Sequence, residues 1–231
     1  MELYYSPNLS QLITLTTEES KHIYKVMRKR KGDKLLFTNG KGIKAIGKII
    51  KIEKNKTYIE ITKKEKKEKT HNYYLHLGIS PTKNTNRFEW LLEKATEIGI
   101  DEITPIISEK SEKQTIKKER CSKILISAIK QSNQYHLPIL NNPINLKEFL
   151  KKTYNFQKYI AHCNNKIFKS ELKSEKLLKK SIILIGPEGD FTSNEIEIAQ
   201  DNNYKSISLG ENRLRTETAA IIATSIINIK N

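Results

Sequence analysis

The sequence has little of what several classes of protein require. It contains only two cysteines, Cys121 and Cys163, whose spacing matches neither a disulfide framework nor a zinc site, so no metal is expected. Its longest nearly apolar stretch, residues 219–227, includes a Thr and a Ser and is far shorter than the roughly 20 residues that cross a bilayer. The N-terminus lacks the apolar segment of a secretory signal. These absences predict a reduced, soluble protein of the cytoplasm.

Two common nucleotide-binding motifs are also missing. The chain contains no G-x-x-x-x-G-K-[ST] phosphate loop and no G-x-G-x-x-G fingerprint. ATP hydrolysis and ordinary dinucleotide binding therefore have no support in the sequence. The five histidines are scattered without the spacing of metal ligands, which favours structural or exposed imidazoles over a metal centre.

Acidic residues are outnumbered by basic ones. The chain holds 42 Lys and Arg against 26 Asp and Glu, a net charge of +16, which suits a nucleic acid or a membrane surface. Part of this charge has a compositional explanation, because nearly all the cations are Lys, a residue that A/T-rich codons favour. Residues 1–70 carry a net charge of +10 and residues 71–231 a net charge of +6. The lysine-rich run 63–69 lacks apolar periodicity, so we predict two domains, 1–70 and 71–231.

The first segment predicts short strands around one helix. Thr16 and Glu19 form a potential capping box, and an apolar stripe of Ile23, Val26 and Met27 predicts a helix that ends before Gly32. Three strands are then predicted, over 34–38, 43–52 and 57–62, as a small antiparallel sheet or barrel. The basic cluster 28–31 is either a solvated face or a contact for nucleic acid.

The second segment alternates strands with helices, which predicts a parallel sheet flanked by helices and a ligand site at the carboxyl ends of its strands. A strand over 181–185 runs into the glycine loop 186–190, and Thr192 with Glu195 caps the helix that follows. Another strand over 205–209 runs into the loop 210–215. Glycine in these loops lets a ligand approach main-chain groups.

These loops resemble the last two motifs of a known family. Ile185-Gly-Pro-Glu-Gly189, then Leu209-Gly210 and Leu214-Arg-Thr-Glu-Thr-Ala219, are similar to motifs of the ribosomal RNA small-subunit methyltransferase E family, uridine-N3 methyltransferases of the SPOUT superfamily. The resemblance extends over most of the chain in the family's order. It includes the stretch 88–100 with Pro105, the stretch 128–132 with Pro138, and, in the N-terminal segment, His22 to Arg28, Gly32-Asp33, Phe37 and Gly40.

Three positions depart from the family's pattern. Asp190 stands where Gly is usual, Asn212-Arg213 replaces Arg-Ile or Arg-Val, and Gln134 stands where Arg often ends the motif that contains Gln131. The first adds a carboxylate beside the cofactor loop, and the other two alter potential RNA contacts.

The resemblance implies an α/β protein with an N-terminal PUA-like β-barrel that binds RNA and a C-terminal SPOUT domain with a deep trefoil knot. It further implies a homodimer that uses S-adenosylmethionine to methylate 16S ribosomal RNA or the small ribosomal subunit. The implied cofactor contacts are Ile185, Gly186, Pro187, Glu188, Gly189, Leu209, Gly210, Leu214, Arg215, Thr218 and Ala219. The expected RNA contacts are Arg28, Arg30, Lys83, Arg87 and Gln131.

The chemistry of the implied reaction assigns roles to three residues. Uracil N3 carries a proton, so methyl transfer needs removal of that proton and stabilisation of the charge on O2 and O4. Arg215 suits the second task, although an ion pair with Glu211 or Glu217 is its structural alternative. Glu188 or Glu217 would take the proton, and Glu217 would otherwise stabilise the helix N-terminus. The two cysteines are expected to be small core residues.

Two other functions remain open at the level of sequence. One is a noncatalytic RNA-binding or ribosome-assembly protein with the same fold, and the other is a SPOUT methyltransferase that acts on transfer RNA. The intact stretch 214–219 favours catalysis over its loss.

Overall fold

The computed structural model describes residues 2–53, 55–152 and 154–231. Two units make up the chain. The first holds the residues up to Thr70 together with Ile129–Leu137, and the second holds His71–Ala128 and Pro138–Asn231. In the described part of the chain, no helix is long and apolar enough to span a membrane.

The first unit is built on a five-stranded sheet. Its strands are β1 (Leu3–Tyr5), β2 (Leu12–Thr14), β3 (Lys34–Thr38), β4 (Ile43–Glu53) and β5 (Lys56–Lys66). They lie in the order β1-β3-β4-β5-β2, with β1 parallel to β3 and the remaining pairs antiparallel. Alternate side chains such as Phe37, Ile49 and Ile59 are fully buried in one apolar core, as the period-2 pattern requires. The three predicted strands are therefore confirmed, and β5 continues into the lysine-rich run.

The predicted N-terminal helix is two short pieces. A helix α1 (Thr17–Lys21) begins at Thr16, whose hydroxyl accepts a hydrogen bond from the Glu19 N–H at 3.2 Å, and a π-helix (His22–Val26) follows directly. The apolar stripe expected to face the core was wrong at two of its three positions. Ile23 is buried, but Val26 and Met27 are exposed, because the wider π-turn changes the spacing at which side chains meet the core.

The second unit contains the predicted parallel sheet, which is confirmed. Its strands are β6 (Tyr74–Ile79), β7 (Glu102–Ile107), β8 (Ile139–Leu140), β9 (Ile144–Asn145), β10 (Gln157–Ala161), β11 (Ser170–Glu171), β12 (Lys180–Ile185) and β13 (Lys205–Ser208). They lie in the order β11-β13-β10-β12-β6-β7-β8, and β9 also pairs with β7. Every pairing in this sheet is parallel.

Helices cover both faces of this sheet. They are α2 (Thr85–Ile98), α4 (Leu146–Leu150), α5 (Ser193–Asp201) and α6 (Thr216–Lys230), with a 3₁₀ turn at Leu172–Ser174. A further helix, α3 (Lys118–Gln131), begins in this unit, and its last residues belong to the first unit. Ile182 and Leu184 of β12 join Phe149 of α4 and Ile196 of α5 in one core layer. Helices α2 and α6 pack on each other, and α6 lies against β6 and β12. Because successive strand residues face opposite sides, both faces of β12 are apolar and buried.

A buried polar network joins β6 and β7 within this unit. The imidazole of His76 is fully buried, with its Nε2 atom 2.7 Å from the hydroxyl of Thr104, which also accepts a hydrogen bond from Asn141. Burial lowers the pKa of His76 to about 4, against the smaller opposing effect of Glu102. The imidazole is therefore neutral near pH 7.

The strand order decides where the site forms. Strand β10 lies between β12 and β13, so three neighbouring parallel strands end at the same edge of the sheet. The segments that leave β10, β12 and β13 consequently lie side by side, although they are separated by many residues in sequence.

Candidate functional site

A cavity of about 640 Å³ opens at the carboxyl ends of β13, β10 and β12. Its volume lies within the range of small-molecule and cofactor sites. The residues that line it come from the three segments after these strands and from the start of α6. They are Ala161, His162, Cys163, Asn165, Lys169, Ile185, Gly186, Pro187, Glu188, Asp190, Ile207, Ser208, Leu209, Gly210, Glu211, Asn212, Arg213, Leu214, Arg215, Thr216 and Ala219.

Of the cofactor contacts expected from sequence, only Gly189 and Thr218 do not line this cavity. A Cβ atom on Gly189 would meet the side chain of Lys110 at 3.2 Å, and Lys110 Nζ donates a hydrogen bond to the Gly189 carbonyl. By contrast, a Cβ atom on Gly210 would meet nothing within 4 Å, and its φ of +141° is closed to most other residues.

Sequence reasoning missed the contribution of β10. Ala161, His162, Cys163, Asn165 and Lys169 all line the cavity, yet the segment they belong to contains no glycine. Nothing in the sequence of β10 indicates that this strand lies between the two strands that precede the glycine loops. Cys163 was also expected in the core, which is wrong, because its side chain is exposed.

Hydrogen bonds connect the three segments around the cavity. The Thr216 hydroxyl, at the first turn of α6, donates to the Gly186 carbonyl at 3.0 Å, and Arg213 Nη2 donates to the Glu188 carbonyl at 3.2 Å. The main-chain N–H of Cys163 donates to Asp190 Oδ2 at 2.8 Å. The walls of the cavity are therefore fixed relative to one another before any ligand binds.

The surroundings of Asp190 show why an aspartate can occupy a position where glycine is usual in the family. Its φ is +60°, in the left-handed region that favours glycine and that Asp and Asn tolerate best among other residues. Its carboxylate accepts hydrogen bonds from the N–H groups of Cys163 and Phe191, each at 2.8 Å. The side chain thus offsets the backbone cost by joining the segment after β10 to the loop after β12.

His162 is a buried polar side chain in the wall of the cavity. Neither of its ring nitrogens has a hydrogen-bond partner among the described residues. Burial lowers the pKa of this imidazole, the Lys169 cation lowers it further, and Asp190 raises it by a smaller amount. The ring is therefore neutral near pH 7, and both of its nitrogens are buried in the cavity wall without a partner in the described chain.

The three residues expected to act in catalysis have different surroundings. Arg215 is exposed at the cavity wall, and no carboxylate of the described chain forms an ion pair with it, Glu211 and Glu217 included. Glu188 is also exposed at the cavity, where its Oε1 atom accepts a hydrogen bond from the Lys83 N–H at 3.1 Å.

Glu217 is buried and lies outside the lining of the cavity. Its Oε1 atom is 3.6 Å from Nε of Arg87, while its Oε2 atom has no partner in the described chain. Arg87, expected to contact RNA, is thus held beside the first turn of α6.

The remaining expected RNA contacts are exposed but belong to different units. Arg28, Arg30 and Gln131 lie in the first unit, whereas Lys83 lies in the second, where its ammonium pairs with Glu112 at 2.8 Å. The exposed pair is worth little in water, so Lys83 remains available to an anionic partner.

Comparison with known proteins identifies the family. A model of an RNA methyltransferase domain matches residues 68–228, and a model of an RNA methyltransferase PUA domain matches residues 15–62. The ribosomal RNA small subunit methyltransferase E of Rickettsia conorii is 34% identical over 94% of this chain and 89% of its own length. The chain belongs to the ribosomal RNA small subunit methyltransferase E family.

Solved structures of similar proteins agree with this membership. A probable rRNA methyltransferase from Porphyromonas gingivalis is 35% identical, with a TM-score of 0.94 over 100% of this chain and 98% of its own. The family enzyme from Neisseria gonorrhoeae, solved bound to S-adenosylmethionine, is 28% identical, with a TM-score of 0.86 over 99% of this chain and 97% of its own. The fold is therefore an α/β fold with a PUA domain and a methyltransferase domain.

The residues present at the cavity fit the family's cofactor. A Cβ atom on Gly210 would meet nothing within 4 Å, so the space beside its main chain is open to a ligand, and the two buried nitrogens of His162 in the wall lack partners in the described chain. Glu188 and Asp190 supply negative charge for a sulfonium, and the cations of Lys169 and Arg213 suit a carboxylate.

Proposed function

We propose that this enzyme transfers the methyl group of S-adenosylmethionine to N3 of a uridine in the 16S ribosomal RNA of the small subunit, in the cytoplasm. The observation that carries the proposal is the cavity itself. Three segments from neighbouring parallel strands enclose it, and the unpaired guanidinium of Arg215 stands at its wall. Such a site offers both a cofactor bed and a positive group for the reacting base.

The cofactor would be held mainly by main-chain groups of the loops 185–190 and 209–214, with Ala219 closing the bed from α6. When bound, S-adenosylmethionine supplies an electrophilic methyl group on a sulfonium. His162 adds a neutral donor and acceptor to this bed, and Asp190 keeps the neighbouring segment in place.

Arg215 stabilises the charge that spreads over O2 and O4 when uracil loses its N3 proton. A planar guanidinium presents two parallel N–H donors. In the described part of the chain, no carboxylate forms an ion pair with the guanidinium of Arg215. We assign the proton acceptor to Glu188, because it lines the cavity and is exposed. Glu217 instead anchors Arg87 and stabilises the N-terminus of α6.

The RNA would contact both parts of the chain. We assign residues 1–70 to RNA binding through a PUA-like domain and residues 71–231 to methyl transfer, with Arg28, Arg30, Lys83, Arg87 and Gln131 as RNA contacts. The cluster around Arg28 supports this division, because the first 70 residues carry a net charge of +10.

Two finer features of the fold belong to the proposal. We assign a barrel to the N-terminal sheet, since register shifts at Ile46/Gly47 and Ile49/Lys51 bend its long hairpin. We assign a trefoil knot to the C-terminal segment. It leaves β13 on one side of β10, returns past Gly186, and packs as α6 against β6 and β12.

A homodimer is the proposed working state. Ile222, Ile226 and Ile229 recur at helical spacing along the face of α6 opposite its buried residues Ala220 and Ala223, and Ile229 is 81% exposed. An apolar stripe on a terminal helix suits a second copy of the same chain.

The function is tested with unmethylated substrates. Purified protein is incubated with S-adenosylmethionine and either small ribosomal subunits, free 16S rRNA or transfer RNA from cells that lack the modification, and nucleosides are analysed by mass spectrometry. We expect N3-methyluridine in a ribosomal sample. Methylation of transfer RNA alone would refute the assignment of ribosomal RNA as the substrate. RNA binding without methylation in any sample would refute the methyltransferase activity and support a noncatalytic RNA-binding protein.

Cofactor binding is tested separately by calorimetry. Ala219→Phe places a large side chain in the cavity and should abolish S-adenosylmethionine binding. Leu178→Phe places the same side chain at an exposed position of the same unit, outside the cavity, and should leave binding unchanged. Equal affinity in both variants would put the cofactor elsewhere.

A further inference from the structure

An exposed apolar patch lies directly beside the basic cluster of the first unit. Tyr24 is 61% exposed and Val26 64%, both within the π-turn, and Met27, the residue directly after it, is 38% exposed. Soluble proteins rarely gather large apolar side chains at the surface without a partner. Here the patch is continuous in sequence with the densest run of positive charge in the chain.

The patch is held rigidly. Ile23, within the same turn, is completely buried in the core of the first unit, and the Thr16 hydroxyl caps the helix that leads into it. The turn closes with the Met27 N–H bonded to the His22 carbonyl at 3.0 Å and the Lys29 N–H bonded to the Ile23 carbonyl at 3.1 Å. Single π-turns of this kind occur often at functional sites.

Arg28 occupies a position that favours glycine. Its φ is +52°, at the end of a helical turn where a left-handed residue is usually Gly or Asn. The backbone there would be less strained with glycine, and at this position the chain carries an arginine side chain. In the described chain, no carboxylate forms an ion pair with Arg28 or Arg30, and both side chains are exposed.

An aromatic and apolar surface bordered by free cations is the combination that binds unpaired nucleotides. A base stacks on an aromatic ring, while neighbouring cations contact the phosphates on either side. A duplex would use the cations but not the aromatic ring, because its bases are stacked on one another. The exposed ring therefore favours single-stranded RNA over a duplex.

We propose that Tyr24, Val26 and Met27 form a platform on which an unpaired base of the RNA stacks, with Arg28 and Arg30 holding the flanking phosphates. The partner is thus a loop, bulge or unfolded strand of RNA. This inference rests on the proposed function for its choice of RNA, but it concerns a different unit from the cofactor cavity.

The test compares two RNA probes with the intact protein. One is an unstructured RNA of about 12 nucleotides, and the other is the duplex formed with its complement. Tyr24→Ala should weaken binding of the single strand by about fivefold or more, the loss expected for one stacked base, and leave duplex binding nearly unchanged. Tyr24→Phe should restore the affinity, since stacking does not need the hydroxyl. Leu12→Ala removes another exposed apolar side chain of the same unit, 54% exposed, and should change neither affinity.

A second measurement does not depend on any variant. RNA that carries 4-thiouridine is irradiated with the wild-type protein, and the crosslinked peptide is identified by mass spectrometry. We expect the peptide that contains Tyr24 or Met27. Three results would each overturn the proposed platform. They are an equal loss of affinity for single strand and duplex in Tyr24→Ala, crosslinks confined to other segments, and an altered oligomeric state of Tyr24→Ala with unaltered RNA affinity. Calorimetry with S-adenosylmethionine separates this failure from failure of the methyltransferase assignment, because the Tyr24 variants should bind the cofactor normally.

Discussion

Replacement of Asp190 provides a quantitative test of how the cavity is held together. Two effects oppose each other at this position. The carboxylate accepts two main-chain hydrogen bonds, worth roughly 1 kcal/mol each at this partly exposed site, and the left-handed backbone costs a residue with a Cβ atom about 1–2 kcal/mol. Asp190→Ala loses the hydrogen bonds and keeps the backbone cost, whereas Asp190→Gly loses the hydrogen bonds and removes that cost.

The expected order of stability follows from these terms. Glycine also has a higher conformational entropy in the unfolded state, which lowers the free energy of that state by about 0.4–1 kcal/mol. The free energy of unfolding of Asp190→Gly should therefore be roughly 1 kcal/mol below that of the wild type. Asp190→Ala should lose roughly 2–3 kcal/mol, since alanine tolerates the left-handed region less well than aspartate. Asp190→Asn keeps an acceptor and the tolerance for this backbone, and should lose least.

Urea unfolding followed by tryptophan fluorescence measures these differences. Trp90 is the only tryptophan and lies in the unit that contains the cavity, so its signal reports that unit. Calorimetry with S-adenosylmethionine on the same variants should show weaker binding for both Gly and Ala, because each frees the Cys163 segment. If Asp190→Gly were as stable as the wild type, or if Ala and Gly were equally destabilised, the reasoning about this residue would be refuted.

Three further outcomes are expected. Arg215→Lys keeps the charge but loses the planar fork, and should lower kcat by up to ~10²–10³-fold with little change in KM; a lower melting temperature with activity that follows the folded fraction would make Arg215 a structural residue. Joint replacement of Arg28 and Arg30 by Ala should flatten the slope of log K against log salt by about 0.7–0.9 for each RNA phosphate that the protein no longer neutralises, and an unchanged slope would place the RNA elsewhere. The pKa of His76 is lowered from 6.5 to about 4, so the stability that comes from its buried neutral form is fully present above about pH 6.5 and is lost as the pH falls towards 4. Urea titrations at successive pH values should show a flatter pH dependence of stability in His76→Gln. A profile identical to that of the wild type would show that His76 does not control this dependence.

Elements with strong local signals were predictable from the sequence. The largely apolar strand before Gly186 and the capping box of Thr192 and Glu195 are both present, the latter with reciprocal hydrogen bonds between Thr192 and Glu195. The motif pattern also led to the correct family. These features depend on residues close together in the chain, where periodicity and capping chemistry act directly.

Features that depend on tertiary packing were not predictable in the same way. A helical stripe at Val26 and Met27 was expected to face the core, but the π-turn exposes both. The contribution of His162 and Cys163 to the cavity depends on strand order, which no local pattern in β10 encodes. The same holds for Glu217, whose burial against Arg87 depends on how α6 packs on α2.

The arrangement of the three segments explains why the cavity needs so few specialised side chains. Strand β10 lies between β12 and β13, so its segment closes a gap that two glycine loops alone would leave between them. Asp190 joins that segment to the loop after β12, and Thr216 joins the same loop to α6. A ligand that meets walls already fixed in place loses less free energy to ordering them on binding. In the proposed reaction, main-chain groups would contact the cofactor, and exposed side chains such as Arg215 would remain free for the base that accepts the methyl group.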